Sequence, residues 1–293
     1  MKVLVTGKGG QLAWELAQTK PEFVELVELG IEDLDITDSE AVGTLIAEIK
    51  PNAIINAAAY TAVDKAETDS ELAYAVNQKG AANLAKVAKE LSAKLLHVST
   101  DFVFAGDKVT PYQVGDEPSP LGVYGASKLA GDQDVANIIG TQGLIVRTAW
   151  VYSANGNNFV KTMLRLMAEK EQLGVIYDQV GTPTWAKGLA KWLWKTLEQD
   201  WQFEQCPIFH WTDAGVASWY DFADAIQELG IEKGFLKKSI PISPIPTSAY
   251  PTPAKRPSFS VLDKTESEQF TNISTIHWRK QLSSMLDELK GQL

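Results

Sequence analysis

The chain has 293 residues, of which 45% are hydrophobic and 22% are charged, and its formal net charge is −10. This length is enough for a large core and for two domains, and the composition is that of an ordinary globular protein. A surface that binds nucleic acid needs clustered Lys and Arg side chains, and the sequence has no such run. Nucleic acid is therefore not an expected partner.

The remaining global features favour a reducing compartment. Cys206 is the single cysteine and has no partner for an internal disulfide. A strand-like run begins at Lys2 with no signal peptide before it, and no apolar run approaches the roughly 18 residues of a membrane span. We therefore expect a cytoplasmic protein without a membrane partner.

The first residues predict a dinucleotide site. An apolar run over residues 2–6 is followed by a glycine turn and then by a helix-like segment. Gly7, Gly10 and Ala13 form the spacing G-x-x-G-x-x-A. Glycines in this context let the backbone approach a pyrophosphate, which rests on the positive amino end of the helix. An ordinary tight turn is the alternative interpretation.

A second strand, over residues 24–29, carries Glu28 about 20 residues past the glycines, where an acid often binds the adenosine ribose. Leu29 and Gly30 are equally plausible at that position. A Lys or Arg there would favour a 2′-phosphate, and the sequence has none near it.

The next two segments contribute further candidate contacts for the cofactor. Asp35 and Ile36 are placed where an adenine ring could lie. The third predicted strand, residues 53–56, is followed by three small residues, which are Ala57, Ala58 and Ala59. Small residues at the carboxyl end of a parallel strand allow a flat cofactor to lie against the backbone, although close packing explains them equally well.

The stretch over residues 95–128 contains the side chains of a candidate catalytic site. A strand ends in Ser99 and Thr100, and a helix that begins near Tyr124 carries Lys128 about one turn later. We expect the ammonium to lower the pKa of the phenol, which would make it a usable general acid or base. Because successive strand residues face opposite sides, only one of the two hydroxyls can reach the site. An exposed helical pair is the alternative interpretation of the Tyr and Lys.

The alternation of β and α segments predicts an α/β fold, with a Rossmann-like doubly wound parallel sheet whose ligands bind at the carboxyl ends of the strands. We expect residues 1–150 to form an NAD(P)-binding domain to which later segments return. Residues 151–293 are expected to form mainly a smaller, mixed α/β substrate-binding domain.

The carboxyl half has a distinctive composition. Seven of the nine Trp residues lie at or after position 185, which is typical of core or interface, with stacking on a base as the alternative. Residues 241–257 contain six prolines and are expected to form an ordered loop near the substrate. Within this loop Arg256 could bind a diphosphate through its fork of donors, or could be an exposed loop charge. The three His residues lack the spacing of zinc ligands.

In this order, the glycine turn, the segments 56–59 (NAAA) and 99–102 (STDF), and the pair Tyr124 and Lys128 resemble the extended short-chain dehydrogenase/reductases. Within that family the chain is more similar to the dTDP-4-dehydrorhamnose reductases. The similarity covers residues 7–185 in the segments GGQLAWEL, LDITD, NAAAYTAVDKAE, STDFVFAG, YGASKLAG, RTAWVYS, NNFVKTMLRL and DQVGTPTW. Beyond residue 185 it thins to scattered features such as Arg256.

The resemblance implies a role for each matching residue. Tyr124 would be the catalytic acid, Lys128 its partner, and Thr100 the hydroxyl on the substrate carbonyl. The cofactor, NADPH or NADH, would contact Gly7, Gly10, Gln11, Leu12, Asp35, Ile36, Ala57, Ala58 and Ala59, with Tyr124 and Lys128 near its ribose. The positions expected to border the sugar are Thr61, Val63 and Trp150.

The implied reaction is the reduction of dTDP-4-dehydro-beta-L-rhamnose, a dTDP-linked 4-keto-6-deoxy sugar, to dTDP-L-rhamnose by hydride transfer from NAD(P)H. A homodimer is expected. Two other functions are compatible with the same motifs. One is a non-catalytic NADP-binding regulatory subunit similar to that of methionine adenosyltransferase. The other is a reductase or epimerase of another sugar nucleotide. The filled catalytic positions favour catalysis, but they do not distinguish between sugars.

The chain departs from the family pattern at several positions. Ala13 replaces a Gly, and Phe102 stands where Tyr is common. Sugar-nucleotide dehydratases of the same superfamily read Thr-Asp-Glu, so Phe102 disfavours a dehydratase. Some members hold a magnesium ion between subunits through acidic residues, and Glu15 could be one of these acids. Residues 185–190 contain no acid, so we expect no metal.

Overall fold

Strands and helices alternate along the chain in the computed structural model, which describes residues 1–292. The strands are β1 (Lys2–Thr6), β2 (Glu25–Leu29), β3 (Ala53–Asn56), β4 (Lys94–Thr100), β5 (Gly143–Thr148), β6 (Val151–Tyr152), β7 (Leu173–Ile176), β8 (Val180–Gly181), β9 (Thr184–Trp185), β10 (Ile208–His210), β11 (Ala217–Ser218) and β12 (Ile242–Ile245). The α-helices are α1 (Gln11–Gln18), α2 (Ser39–Ile49), α3 (Val63–Ala66), α4 (Ser70–Tyr74), α5 (Ala81–Glu90), α6 (Val123–Ile139), α7 (Phe159–Glu169), α8 (Ala186–Leu197), α9 (Trp219–Glu232), α10 (Thr265–Thr271) and α11 (Trp278–Gly291). Leu293, the last residue of the predicted second domain, lies outside the described residues.

Six of these strands form one parallel sheet in the order β2-β1-β3-β4-β5-β10. The chain moves outward from β1 to β2 and then returns to continue on the other side with β3. This reversal places the carboxyl ends of β1 and β3 at the switch point where doubly wound sheets bind ligands. The predicted α/β Rossmann-like sheet is confirmed, and its last strand comes from the carboxyl-terminal half of the chain.

The two faces of the sheet are covered by different helices. In β1, Val3 and Val5 pack in the core formed with α1 and α8, whereas Leu4 packs in the core formed with α2, α5 and α6. This follows from the period-2 alternation of a strand and from the burial of parallel sheets on both sides. Because both faces of these strands are buried, both sets of alternating side chains are apolar, which gives the continuous apolar runs seen in the sequence.

A π-helical turn, Ala75–Gly80, lies between α4 and α5 and interrupts their continuous helical stretch. Its Asn77 side chain accepts a hydrogen bond from the backbone N–H of Tyr60 at 2.9 Å and donates one to Ser127 Oγ at 3.0 Å. The turn thus ties the segment after β3 to helix α6. π-Turns occur frequently near functional sites, and this one positions the small residues that follow β3.

The carboxyl half forms a second core around α7, α9 and α11, joined by the two-stranded pairs β7–β12, β8–β11 and β6–β9. The interpretation of the Trp-rich half as core is confirmed at five positions, which are Trp185, Trp192, Trp194, Trp211 and Trp278. The proline-rich segment is not only loop, because it contains β12, paired in parallel with β7. Within residues 1–292, no helix combines the length and apolar character needed to cross a membrane.

Candidate active site

A cavity of about 780 Å³ opens at the carboxyl ends of β1, β3 and β4 and reaches α6. Most residues predicted for the site line this one cavity, although they come from six separate parts of the chain. The predicted residues that line it are Gly7, Gly10, Gln11, Leu12, Asp35, Ile36, Ala57, Ala58, Ala59, Thr61, Val63, Thr100, Tyr124, Lys128 and Trp150. Glu28 and Arg256 are absent from the lining.

The glycine turn fits a dinucleotide through its backbone. Gly7 has φ +81°, and a Cβ there would lie 2.8 Å from the carbonyl carbon and oxygen of Ala57. The neighbouring strand ends are joined by Thr6 Oγ1, which donates to Asn56 Oδ1 at 2.7 Å. Gly10 precedes α1 with no side-chain cap, so the first N–H groups of α1 have no side-chain acceptor there. Such a helix end suits a pyrophosphate.

Glu28 does not reach the cavity, and this is a correction to the sequence analysis. Side chains alternate along β2, so that Val27 and Leu29 face the core shared with α2 and α5, whereas Leu26 packs on the opposite face. Glu28 is two residues from Leu26 and therefore points to the same face as Leu26, away from the cavity. At the end of the strand the cavity is lined by Leu29 and Gly30. The cavity wall at the end of β2 is therefore formed by backbone and an apolar side chain.

Thr100 and Tyr124 come together from the end of β4 and the first turn of α6. Tyr124 is half-buried, its ring packs edge-on against Phe102 at 5.5 Å between centroids, and its hydroxyl interacts with Thr100. The residue Phe102 therefore supplies an apolar wall where the family commonly has Tyr. Ser99 faces elsewhere and donates to Asp132 at 2.9 Å. The structure thus separates the two candidate hydroxyls as strand alternation predicts.

The pKa of Tyr124 differs in direction from the sequence-based expectation. Burial raises it to about 12, the charges of Asp101 and Asp132 add to this rise, and the hydrogen bond with Thr100 only partly offsets it. Lys128 is not among the groups that shift this pKa, so the expected lowering is not found. The phenol is therefore held firmly in its protonated form at neutral pH.

Lys128 is buried, with 1% of its surface exposed, so the alternative of an exposed helical pair is wrong. Its ammonium donates to the carbonyl oxygen of Val98 at 2.8 Å and lies 3.4 Å from His97 Nε2. Burial lowers the pKa of Lys128 to about 8, and the charge of Asp132 partly offsets this effect. The protonation of Lys128 is thus disfavoured by its burial and favoured by the nearby charge of Asp132.

A buried polar network lies behind Lys128, and sequence reasoning missed it. Asn56 Oδ1 accepts hydrogen bonds from Thr6 and from the N–H of Ala58, so its amide nitrogen donates to His97 Nδ1 at 3.0 Å. A neutral His97 must then carry its proton on Nε2. Burial and the charge of Lys128 hold the pKa of His97 well below its usual range, so the neutral ring is the stable form.

Asp132 completes this network on the side of α6. Its carboxylate accepts from Ser99 at 2.9 Å and from Arg147 Nε at 3.4 Å, and one oxygen lies 3.6 Å from His97 Nε2. The pKa of Asp132 is raised by burial, and the charges of Lys128 and Arg147 act against that rise. The sequence signal for His97, Ser99 and Arg147 was a polar side chain within an apolar strand. Asp132 lies on helix α6, and its spacing does not predict that it meets them.

The opposite wall of the cavity is aromatic. Trp150 has φ +48°, and its ring stacks on Trp219 with 3.5 Å between centroids and an interplanar angle of 4°. Gly181 lies beneath it, because a Cβ there would be 2.8 Å from the Trp150 ring. A left-handed backbone in a bulky residue is strained and occurs at functional sites. The position expected to border the sugar is therefore held by three segments of the chain.

Arg256 forms a bidentate pair and does not line the main cavity. The alternative of an unpaired, exposed loop charge is therefore wrong, whereas binding of a diphosphate stays a prediction. Its Nη1 and Nη2 donate to the two carboxylate oxygens of Asp64 at 3.0 and 2.7 Å, and Nη1 also reaches Thr252. The side chain lines a second cavity of about 390 Å³ together with Tyr250 and other residues of the proline-rich segment. The guanidinium thus fastens this segment to the start of α3.

Glu15, the acid considered for a metal, is fully buried in α1. Its Oε1 accepts hydrogen bonds from Ser153 at 2.7 Å and from Trp185 Nε1 at 2.9 Å. In the same region, Lys187 pairs with Glu288 of α11. The expectation that no metal binds remains a prediction.

Comparisons with known proteins agree with this geometry. The family model described as "RmlD substrate binding domain" matches residues 1–290. The chain is 39% identical to a dTDP-4-dehydrorhamnose reductase of Burkholderia thailandensis, with 100% of both chains covered. It is 37% identical to that of Escherichia coli K12, with 99% of this chain and 98% of the relative covered.

Solved structures show the same relationship. A dTDP-4-dehydrorhamnose reductase of Clostridium acetobutylicum has a TM-score of 0.91 and 40% identity, with 99% of this chain and 100% of the other covered. The enzyme of that name from Bacillus anthracis, solved in complex with NADP, has a TM-score of 0.91 and 34% identity, with 98% and 99% covered. The chain therefore belongs to the dTDP-4-dehydrorhamnose reductase family.

Proposed function

We propose that this protein reduces dTDP-4-dehydro-beta-L-rhamnose to dTDP-L-rhamnose and takes its hydride from NADPH. One observation carries this proposal: Thr100, Tyr124 and Lys128 line one cavity together with the glycine turn. The relative from Bacillus anthracis that was solved with NADP supports the choice of cofactor. A nicotinamide dinucleotide, when bound, supplies the hydride for the ketone carbon.

The amino-terminal part of the chain would hold the cofactor. The pyrophosphate would bind to the backbone of Gly7 and Gly10 and to the amino end of α1. Neither glycine has a Cβ, so the backbone can come close to the phosphates. Asp35 and Ile36 would border the adenine, and the three alanines after β3 would lie against the nicotinamide half. Residues 1–150 would thus bind the cofactor, and residues 151–293 would supply most of the sugar-nucleotide side.

The catalytic roles follow from the protonation states of the three side chains. Tyr124 would donate its phenol proton to the ketone oxygen, and its raised pKa keeps that proton available at neutral pH. Lys128 lies one turn later on α6 and lines the same cavity, where it would bind the ribose of the cofactor. Thr100 would donate a hydrogen bond to the same oxygen and stabilise its developing charge.

The non-catalytic alternative lacks a supporting observation. A regulatory subunit has no need of a buried lysine held 2.8 Å from a strand carbonyl beside a protonated phenol. The assay described below tests whether the protein acts on a different sugar nucleotide. The homodimer and the cytoplasmic location remain predictions, which light scattering after gel filtration and cell fractionation would check.

The proposal is tested by following NADPH oxidation with a panel of nucleotide-linked 4-keto sugars. We expect turnover to be fastest with the dTDP-linked 4-keto-6-deoxy sugar. Tyr124→Phe should lower kcat by about 10²–10⁴-fold, the usual contribution of a general acid, with an unchanged dissociation constant for NADPH. Tyr220→Phe, on α9 and outside both cavities, is the matched control. Full turnover by Tyr124→Phe would remove Tyr124 from this role, and no oxidation with any keto sugar would refute the reductase assignment.

A further inference from the structure

The acid that follows Thr100 is buried in the catalytic region and has no assigned role. Asp101 has 2% of its surface exposed and begins the 3₁₀ turn Asp101–Val103. Its Oδ1 lies 3.1 Å from Thr100 Oγ1, while its Oδ2 is buried without a hydrogen-bond partner among the described residues. Thr100 Oγ1 also accepts a hydrogen bond from the backbone N–H of Phe102 at 3.2 Å.

These contacts limit what the Thr100 hydroxyl can do. A hydroxyl has one proton to donate and two lone pairs that accept, whereas an ionised carboxylate only accepts. When Asp101 is ionised, the 3.1 Å contact uses the single proton of Thr100. The hydroxyl then has nothing left to donate to a ketone oxygen. When Asp101 is protonated, it donates to Thr100 and both lone pairs are filled. The Thr100 proton is then available to the Tyr124 hydroxyl or to a ketone oxygen.

We infer that Asp101 is a positioning residue that aims the Thr100 hydroxyl: in its protonated form it donates to Thr100 Oγ1 and directs the Thr100 proton toward the reacting oxygen. This inference rests on the proposed reductase function. It makes one catalytic hydrogen bond conditional on the protonation state of a neighbouring side chain.

The surroundings of Asp101 shift its ionisation equilibrium toward the protonated form. Burial raises the pKa of Asp101 to about 6, and the neighbouring hydroxyl groups of Ser260 and Thr100 offset only part of this rise. The titratable group that faces it from α6 is Tyr124, and Ser260, which is not titratable at these pH values, faces it from the carboxyl half. Lys128 and Arg147 are not among the groups that shift this pKa. A bound dinucleotide and sugar nucleotide carry negative phosphates, and like charges raise a carboxyl pKa further.

The test compares Asp101→Asn with Asp101→Ala, because an Asn amide can donate to Thr100 at every pH and Ala cannot. We expect kcat of Asp101→Asn to exceed that of Asp101→Ala by about tenfold or more, the size of one hydrogen bond to the reacting oxygen. The dissociation constant for NADPH should agree within about twofold in both variants, since neither change touches the predicted cofactor contacts. Glu117→Gln, an exposed acid on the loop that follows, controls for the loss of one negative charge.

The pH dependence gives a second, independent readout. The kcat of the wild type should fall as the pH rises through the pKa of Asp101, and this fall should be absent in Asp101→Asn. A later fall near the pKa of Lys128, about 8, should remain in both proteins. Thr100→Val keeps the native acid but removes the hydroxyl on which it acts, so its residual kcat should also lack the first fall.

The outcomes separate the two proposals. Equal kcat values for folded Asp101→Asn and Asp101→Ala, checked by their thermal midpoints, would overturn the inference. An unchanged first fall in Asp101→Asn or in Thr100→Val would overturn it as well, even if Asp101→Ala does not fold. A wild-type protein that oxidises no NADPH with any keto sugar would refute the proposed function instead.

Discussion

Replacing Gly7 by Ala tests the close approach of β1 and β3 on which the cofactor site depends. A Cβ at Gly7 would lie 2.8 Å from the carbonyl carbon and oxygen of Ala57 and 2.9 Å from the nitrogen of Ala58. All three are backbone atoms, so no side chain can rotate to make room. Gly9 is the matched control, because it has φ +84° against +81° for Gly7 and a Cβ there would meet nothing within 4 Å.

Both substitutions place an Ala in a left-handed backbone conformation, which costs free energy of folding. Only Gly7→Ala adds a steric clash. A left-handed conformation costs Ala about 1–2 kcal/mol, so Gly9→Ala should lower the free energy of unfolding by about that amount. Gly7→Ala should lose about 1–3 kcal/mol more, the usual cost of overpacking a well-packed site. Urea unfolding followed by Trp fluorescence measures both values, and an NADPH titration should show weaker binding by Gly7→Ala because the turn has shifted.

Equal losses of stability in the two variants, within about 0.5 kcal/mol, would refute this reasoning. They would mean that the strand ends relax without cost and that only the backbone conformation requires glycine. The proposed cofactor site at the glycine turn would then not depend on the close approach of β1 and β3.

Two further predictions concern acids outside the cavity. Burial raises the pKa of Asp213 to about 7, above its unfolded value, so this carboxyl costs stability as the pH rises from about 4 to about 7. Asp213→Asn should therefore gain stability relative to the wild type between about pH 5 and pH 8 in urea unfolding, and a constant difference would contradict this. The pKa of Asp64 is lowered, chiefly by its hydrogen bond with Arg256. The pair therefore stabilises the fold at pH values above the pKa of an unfolded-state Asp, and this stabilisation is lost as the pH falls through the lowered pKa. Because both side chains are partly exposed, a double-mutant cycle of Asp64→Ala and Arg256→Ala should give a measurable favourable coupling that does not exceed about 1 kcal/mol at neutral pH. Zero coupling would show that other contacts hold this segment.

Several features of the site were readable from the sequence because they are local. The strand Lys2–Thr6, the glycine turn and the helix after it follow from side-chain periodicity and from the freedom of glycine at positive φ. That Ser99 and Thr100 face opposite sides follows from the two-residue repeat of a strand, whereas the choice of Thr100 came from the family resemblance. The placement of Tyr124 and Lys128 follows from one turn of helix. The parallel topology then brings the strand ends together, so most of the residues predicted for the site line one cavity.

Other features are decided only by tertiary structure, because they depend on groups that are distant in sequence or on burial. Spacing predicts that Lys128 lies near Tyr124, but it does not predict that burial raises the phenol pKa while the ammonium binds the Val98 carbonyl. Arg256 finds Asp64 across 192 positions of the chain. A periodic pattern determines which way a side chain points, whereas its charge and its partner are set by desolvation and by contacts that exist only once the chain has folded.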